Sequence, residues 1–158
     1  LEQIQEGTAQ IQDGITKSQL MGVQCYLPVS LHSLSKAQAL AGHPEKSLTT
    51  LTRAIALADQ KDEGHWKAEL YRLWADLLLS QGVVGEAEIH YQESITIARH
   101  QQAKSWELRA AISLAHLWQK QGKLREVRQL LEPIYNWFTE GFDTPDLKEA
   151  RVLLEECS

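Results

Sequence analysis

The stretch SQGVVGEAE, residues 80 to 88, has counterparts forty residues upstream and forty residues downstream. They are LAGHPEKSL at 40 to 48 and KQGKLREVR at 120 to 128. Each contains a glycine at the same place, so Gly42, Gly82 and Gly122 are separated by one constant interval. A fixed interval of this length is typical of proteins built from structural repeats.

Other positions, counted from these glycines, repeat at the same interval. Aromatic residues stand sixteen positions before each glycine, and a large residue followed by a small one stands eight and seven positions before it. Large residues also stand nine and thirteen positions after each glycine. The members of these columns are Tyr26, Trp66, Trp106; Leu34-Ser35, Trp74-Ala75, Leu114-Ala115; Leu51, Tyr91, Leu131; and Ile55, Ile95, Tyr135. Six aligned columns, including the glycines, indicate a duplicated unit.

Each unit has the pattern of two α-helices. In the second unit, Leu70, Leu73, Trp74, Leu77 and Leu78 have the spacing of an amphipathic helix, and no strand-like alternation is sustained anywhere. The glycine is expected to end the first helix, because a left-handed residue costs glycine least. The pattern predicts eight helices, at 3 to 18, 23 to 41, 44 to 60, 65 to 81, 85 to 101, 104 to 121, 124 to 139 and 145 to 156.

The predicted fold is all-α, a right-handed α-α superhelix of helical hairpins about 40 residues long. We divide the single domain into a partial repeat (1 to 22), three repeats (23 to 62, 63 to 102 and 103 to 142) and a capping helix (143 to 158). The first helix is a second helix without its partner. The chain, which starts at Leu1 without Met, is therefore expected to be a segment of a longer array.

The aromatic stretch YNWFTEGFDTPDLKEA, residues 135 to 150, comes after the last full repeat. Tyr135, Trp137 and Phe138 are predicted to continue the core columns, and Gly141 to end their helix. Thr144-Pro145-Asp146 then starts a final helix with a capping hydroxyl. Its apolar face consists of Leu147, Ala150, Leu153 and Leu154. A helix of this kind seals an open solenoid; a ligand-stacking pocket is the alternative interpretation.

Composition limits the possible partners. The chain is 43% hydrophobic and 23% charged, and its 16 basic and 21 acidic residues give a net charge of −5. A negative module has no general attraction for nucleic acid or anionic lipid. The apolar run LWADLLL at 73 to 79 is too short to span a membrane and contains Asp76. No leader is visible, and Cys25 and Cys157 lack CxxC spacing, so we expect a soluble cytoplasmic protein with free thiols.

No pattern indicates catalysis, a metal or a cofactor. Six histidines include no HExxH motif, and His90 and His100 lie too far apart on one helix to share an ion. Neither cysteine has a histidine beside it in sequence, and no GxxxxGK[ST] loop occurs. We therefore predict that the segment is not an enzyme.

The order of these residues resembles the tetratricopeptide repeat. The second unit has the large-small pair Trp74-Ala75, the turn residue Gly82, the pair Glu86-Ala87 and the large Tyr91. The other units depart from the pattern at Glu126-Val127 and Lys46-Ser47, and no proline follows the second helix. The period also exceeds the usual value of about 34 and comes near that of HEAT and armadillo repeats, so HEAT-like packing is the runner-up.

A second resemblance covers residues 85 to 156. The runs QQAKSWELRAA and WFTEGFDTPDLKEA are similar to the C-terminal helical-repeat tail of large bacterial signalling ATPases. Such proteins carry an adenylate or guanylate cyclase domain, or a winged-helix domain, ahead of the ATPase module. The resemblance implies a regulatory tail without the catalytic parts of its parent.

The tetratricopeptide resemblance also implies a concave groove lined by first helices, at thirteen, ten, six and three positions before each turn glycine. These positions hold Val29, His32, Lys36 and Ala39; Glu69, Arg72, Asp76 and Leu79; and Arg109, Ile112, His116 and Gln119. The basic members suit carboxylates or a phosphorylated partner. Alternatively, Arg72 pairs with Glu69 and Asp76 on its own helix. The carboxylate clamp of chaperone-binding relatives is not reproduced, which disfavours a chaperone adaptor.

The sequence thus predicts a non-catalytic sensor or scaffold that binds a protein or peptide, including the adjoining ATPase or cyclase domains of a parent chain. Two alternatives stay open. One is a small-molecule effector site, which would need an enclosed apolar pocket. The other is self-association as a homodimer through the unpartnered first helix, whose apolar residues are Ile4, Ile11 and Ile15.

Overall fold

The computed structural model describes residues 2 to 23, 27 to 60 and 64 to 157. Within these ranges the chain forms eight α-helices and no strand. The helices are α1 (Glu2–Leu20), α2 (Leu27–Leu40), α3 (Pro44–Gln60), α4 (Lys67–Ser80), α5 (Val84–His100), α6 (Lys104–Lys120), α7 (Leu124–Tyr135) and α8 (Pro145–Glu156). A short 3-10 turn, Gly64–Trp66, leads into α4. The predicted column residue Tyr26 and the thiol of Cys25 lie outside the described residues.

The glycines that define the period form the turns between the paired helices. Gly42, Gly82 and Gly122 have φ angles of 81°, 79° and 74°, which confirms the predicted left-handed helix ends. A side chain is disfavoured in this conformation, and glycine is therefore the natural residue there. Gln102 adopts a φ of 55° in the turn that follows α5, so that turn forms without glycine.

The helices pair as hairpins: α2 with α3, α4 with α5, and α6 with α7. Their axes approach closely because small residues face one another where the helices meet. In the first hairpin Ser35 and Ser47 are fully buried, and their hydroxyl oxygens lie 2.8 Å apart. Ala75 and Ala87 occupy the same places in the second hairpin and are also fully buried.

The buried side chains form two clusters that meet at α4. One extends from Ile15 to Leu77, and the other from Ala75 to Leu153. Trp74 packs against both clusters. The core is therefore continuous along the row of helices, as expected for a solenoid whose units contact their neighbours.

Helix α8 closes the C-terminal end. Leu147, Ala150 and Leu153 are buried against the preceding helices, as predicted. Its outer side is polar, since Arg151 and Glu155 are exposed and form an ion pair at 3.7 Å. The predicted capping role of the Thr144 hydroxyl is wrong, because that hydroxyl donates a hydrogen bond to the Gly141 carbonyl at 2.7 Å and closes the preceding turn instead.

Helix α7 is shorter than predicted. It ends at Tyr135 and contains Pro133, which lacks an N–H and crowds the preceding turn. Trp137 consequently lies beyond the helix and is 58% exposed, so its predicted place in the core is wrong. Tyr135 and Phe138 do pack against the core. None of the helices in the described ranges is long and apolar enough to cross a membrane.

Candidate functional site

The predicted groove residues lie on the first helices of the hairpins, α2, α4 and α6. Helix α4 contacts α2 on one side and α6 on the other, and α6 contacts α8. The side of α2, α4 and α6 that carries the predicted groove residues is called the first-helix face below. The groove residues on these three helices differ in their hydrogen-bond partners and in their exposure.

The central part, on α4, holds a cluster of charges. Arg72 donates two hydrogen bonds to the Glu69 carboxylate, at 2.9 Å from Nε and 2.6 Å from Nη2, and a third to Asp76 at 2.7 Å. Tyr91 on α5 donates to the other oxygen of Asp76 at 2.6 Å. Arg72 thus pairs along its own helix, in the alternative arrangement predicted from the sequence.

Burial strengthens this cluster. Glu69 is 7% exposed, and the Arg72 side chain is 14% exposed. Burial by itself would lower the pKa of Arg72, but the hydrogen bonds to Glu69 and the charges of Asp76 and Glu69 outweigh it and raise that pKa. The guanidinium therefore stays charged, and its orientation is fixed before any ligand arrives.

His32 and Lys36, on α2, stand next to this cluster. The Nε2 atom of His32 lies 4.0 Å from a Glu69 oxygen and is buried without a hydrogen-bond partner among the described residues. Burial lowers the pKa of His32, so the ring is neutral near pH 7. Lys36 is exposed and forms no ion pair within the described part of the chain.

The part of the face on α6 is occupied by α8. Arg109 donates to Asp146 at 2.8 Å, His116 lies 2.7 Å from Glu149, and Gln119 donates to Glu156 at 2.6 Å. Ile112 is 5% exposed and belongs to the same core cluster as Leu147. These four predicted groove residues hold the final helix in place. The Arg109 and His116 side chains stay 47% and 43% exposed, whereas Ile112 is covered, and the sequence analysis did not anticipate this contact with α8.

The part of the first-helix face that α8 does not contact lies, among the described residues, on α2 and α4. Its polar residues are Lys36 and His32, with the edge of the Glu69, Arg72 and Asp76 cluster beside them. Val29, Ala39 and Leu79 are partly buried at its borders.

A separate cleft of about 470 Å³ lies between the start of α6 and the segment that leads into α8. Leu108, Phe138 and Leu147 give it apolar walls, and Arg109 and Asp146 line it with a paired charge. Trp137 lies nearby on the surface, with the Lys104 amine 5.8 Å from its ring centre. The aromatic stretch thus supports the cap and also borders a cleft, so both interpretations keep a structural basis.

One buried charge was missed by sequence analysis. Glu107 on α6 is 2% exposed and accepts hydrogen bonds from Arg99 and Lys104, each at 2.7 Å. The i,i+3 spacing of Lys104 and Glu107 would have predicted the ion pair between them, whereas the pair with Arg99 has no such spacing. In the described ranges, no three His, Cys, Asp or Glu side chains gather as metal ligands would.

No protein-family model matches the chain, and no curated protein matches it at a significant level. The solved structures that are similar to it include two of the nearly identical TPR-like repeats of a provisional kinesin light chain from Podosopora anserina. A point variant aligns with a TM-score of 0.73 at 17% identity, over 99% of this chain and 77% of its own. The other aligns with a TM-score of 0.72 at 18% identity, over 99% of this chain and 78% of its own length.

The TM-scores of 0.73 and 0.72 establish the fold, and the low identities carry nothing beyond the fold. The chain is a right-handed α-α superhelix of TPR-like hairpins with a capping helix, which confirms the predicted class over the HEAT-like runner-up. Superhelices of this kind commonly present extended binding surfaces to proteins.

Proposed function

We propose that this chain is a non-catalytic module that binds a protein or peptide along the α2 and α4 part of the first-helix face. The observation that supports it is the exposed Lys36, which forms no ion pair within the described residues and stands beside a fixed cluster of Glu69, Arg72 and Asp76. A partner segment with a carboxylate or phosphate would pair with Lys36.

The rigidity of the face favours such binding. Its side chains are carried by packed helices, and Arg72 is already held by three hydrogen bonds. Binding to a surface of this kind does not require a loop to become ordered, so less conformational entropy is lost.

The binding proposal is tested with a phage-displayed library of random peptides, whose selected members are measured by fluorescence anisotropy. Lys36→Glu is expected to weaken the selected peptides about tenfold or more, because it reverses a charge at the centre of the face. Arg53→Glu is the matched control, since Arg53 is an exposed basic residue on the second helix α3 and has no ion pair among the residues that the structure describes. If both variants weaken binding equally, the peptides bind elsewhere and the proposal is wrong.

We further propose that the module is the regulatory tail of a larger bacterial signalling ATPase, with a cyclase or winged-helix domain in the same chain. The support is the resemblance of residues 85 to 156 to such tails. The test is nucleotide turnover by the parent chain with and without this module. Unchanged turnover after deletion would exclude a regulatory role.

A small-molecule effector site is the second candidate, and the cleft of about 470 Å³ beside α6 and α8 favours it. Its apolar walls, with Arg109, Asp146 and Glu140 as charged groups, suit a small apolar ligand with one polar end. Ligand-observed NMR with indole-3-acetate is the measurement. Ser105→Trp fills the mouth of the cleft and is expected to abolish any signal, whereas signal that persists in this variant would place the ligand elsewhere.

A further inference from the structure

The connection between α7 and α8 departs from the repeat period. Helices α3 and α5 end forty residues apart, so the period would carry α7 to residue 140. Helix α7 contains Pro133 and ends at Tyr135 instead. Residues 136 to 144 therefore form a non-helical connection, in which Phe138 and Glu140 line the cleft between α6 and α8.

The start of α8 departs from the period as well. Between the starts of α4 and α6, the rings of Trp66 and Trp106 pack with their centroids 5.0 Å apart. The residue forty positions after Trp106 is Asp146, and Pro145 precedes it. Neither of these side chains has the volume of an indole. The cleft of about 470 Å³ lies at this place, between the starts of α6 and α8.

The walls of the cleft suit an aromatic ring. Leu108, Phe138 and Leu147 are its apolar residues. Thr144 donates two hydrogen bonds to the Gly141 carbonyl, from the backbone nitrogen at 2.9 Å and from Oγ1 at 2.7 Å. These bonds hold the wall that the connection forms, so the cleft exists before a ligand arrives, as is usual for small-molecule sites.

The charges in the lining favour a cation. Two carboxylates, Glu140 and Asp146, and one guanidinium, Arg109, leave a net charge of −1. Arg109 directs Nε and Nη2 to the same oxygen of Asp146, at 3.2 and 2.8 Å, so its charge is neutralised within the lining. Glu140 is exposed and forms no ion pair in the described part of the chain. Its carboxylate attracts a positive group and repels a negative one.

We propose that the cleft binds an aromatic amine, with its ring between Leu108, Phe138 and Leu147 and its ammonium group beside Glu140. The proposal rests on the small-molecule site proposed above and adds the chemical class of the ligand. The ring fills the space between two first helices, as Trp106 does one hairpin earlier. Packing against the Phe138 ring adds an aromatic contact. A carboxylate ligand of the same shape would instead lie next to the Glu140 carboxylate.

Two indoles of opposite charge test the proposal. Tryptamine and indole-3-acetate share one ring system, and each is titrated into the chain at about 0.15 M salt while the amide signals are followed by two-dimensional NMR. Tryptamine is expected to bind about fivefold more tightly or better, because Glu140 attracts its ammonium group and repels the acetate. Ser105→Trp, which fills the mouth of the cleft, should remove the binding of both.

Glu140→Gln tests the group that selects the amine. It should weaken tryptamine about threefold or more without weakening indole-3-acetate, because only the amine loses an opposite charge. Asp143→Asn is the matched control, since Asp143 is an exposed carboxylate of the same connection and does not line the cleft. This control should leave the affinities for both indoles unchanged.

The outcomes separate this proposal from the one on which it rests. Indole-3-acetate that binds in the cleft as tightly as tryptamine would overturn the aromatic-amine proposal and keep the small-molecule site. No binding of either indole, or binding that Ser105→Trp leaves intact, would overturn both. Equal weakening of tryptamine by Glu140→Gln and Asp143→Asn would mean that the net charge of the chain attracts the amine, and would overturn the aromatic-amine proposal alone.

Discussion

At the scale of single residues, Asp76 connects the first-helix face to the core. One of its oxygens accepts a hydrogen bond from Arg72, and the other accepts one from Tyr91. Tyr91 is 2% exposed and belongs to the second helix of the same hairpin. Burial and the Asp76 charge raise the pKa of Tyr91, so the hydroxyl stays protonated and donates. The charged cluster on α4 is thus held by a buried neighbour.

Removing the Tyr91 hydroxyl should measure this support. Tyr91→Phe is expected to lower the free energy of unfolding by about 1.5 to 3 kcal/mol, the range for a hydrogen bond to a charged group. Urea denaturation gives the value. Tyr135→Phe is the control, because no hydrogen bond of its hydroxyl occurs within the described residues, and it should change little. Equal effects of the two variants would mean that Asp76 does not depend on Tyr91.

His32 should make stability depend on pH. Its pKa in the folded chain lies below the ordinary value of 6.5 because the ring is buried; the Glu69 charge opposes this shift, whereas Arg72 and Lys36 add to it. Below pH 6.5 the unfolded chain therefore binds more protons than the folded one, and this contribution to stability falls as the pH falls. The contribution of His32 to stability is fully present above pH 6.5, and it decreases as the pH falls from 6.5 to the pKa of His32 in the folded chain.

The measurement compares unfolding free energies at about pH 7.5 and about pH 5.5. His32→Gln should lose less stability on acidification than the unsubstituted chain does. His43→Gln, at an exposed histidine, should behave like the unsubstituted chain. If His32→Gln shows the full loss, another group causes the pH dependence.

Trp137 illustrates how position decides the energy of an aromatic residue. Because it is 58% exposed, Trp137→Ala should cost less than about 1 kcal/mol. Leu131→Ala, at a residue that is fully buried on the same helix hairpin, should cost about 2 to 5 kcal/mol. Chemical denaturation of both variants decides the point. A large loss for Trp137→Ala would mean that the ring is packed in solution.

At the scale of the elements, the first hairpin differs from the others by a polar contact. Ser47 donates to the Ser35 carbonyl at 2.7 Å, and Ser35 can donate to the Ser47 carbonyl at 2.9 Å. The second hairpin has Ala75 and Ala87 at these places and packs without such bonds. Close approach of the helices therefore depends on small volume, and the hydroxyls add hydrogen bonds to it.

A double-mutant cycle on this pair tests that conclusion. Ser35→Ala alone should lower the free energy of unfolding by about 1 kcal/mol, since it leaves the Ser47 hydroxyl with one partner fewer. The double substitution with Ser47→Ala should cost less than the sum of the single ones, because it reproduces the second hairpin. Strict additivity of the two losses would show that the serines contribute independently.

The period of the sequence predicted the helices and their turns because both depend on local residues. Amphipathic spacing and the left-handed glycines fix where each helix lies and where first helices end. The end of α7 was misplaced because its repeat column was followed past Pro133, whose effect on the last turn is local and overrides the pattern. A prediction from the repeat period gives every unit the same helix length. It therefore misses a helix-breaking proline that occurs in one unit only.

The candidate site was predicted less well than the fold, for a physical reason. The groove positions are predicted from the first helix of every hairpin, without regard to the element that follows the last hairpin. Arg109, His116 and Gln119 instead hold α8, which is a contact between the last hairpin and the cap. Such a contact depends on the helix that follows the last repeat. This helix is not part of the repeated unit, so the periodic pattern does not predict its contacts.

At the scale of the whole molecule, the two buried clusters make stability a property of neighbouring hairpins. They share Trp74 on α4, and α1 and α8 belong to opposite clusters. In a row of helices, each unit gains stability from the units that it contacts, so damage at one end should weaken with distance. The proposed binding surface on α2 and α4 lies on the side of this junction away from α8.

Hydrogen exchange should reveal this gradient. Leu153→Ala removes a side chain that is 2% exposed beneath α8, and amides of α6, α7 and α8 should exchange faster while those of α2 and α3 keep their protection. Leu51→Ala, at a fully buried residue of α3, is the matched control and should produce the opposite pattern. Mass spectrometry of peptides from the two variants resolves the segments. Uniform loss of protection in both would mean that the row unfolds as one unit, in which case α8 could not detach from Ile112 and Gln119 while the α2 and α4 surface stays folded.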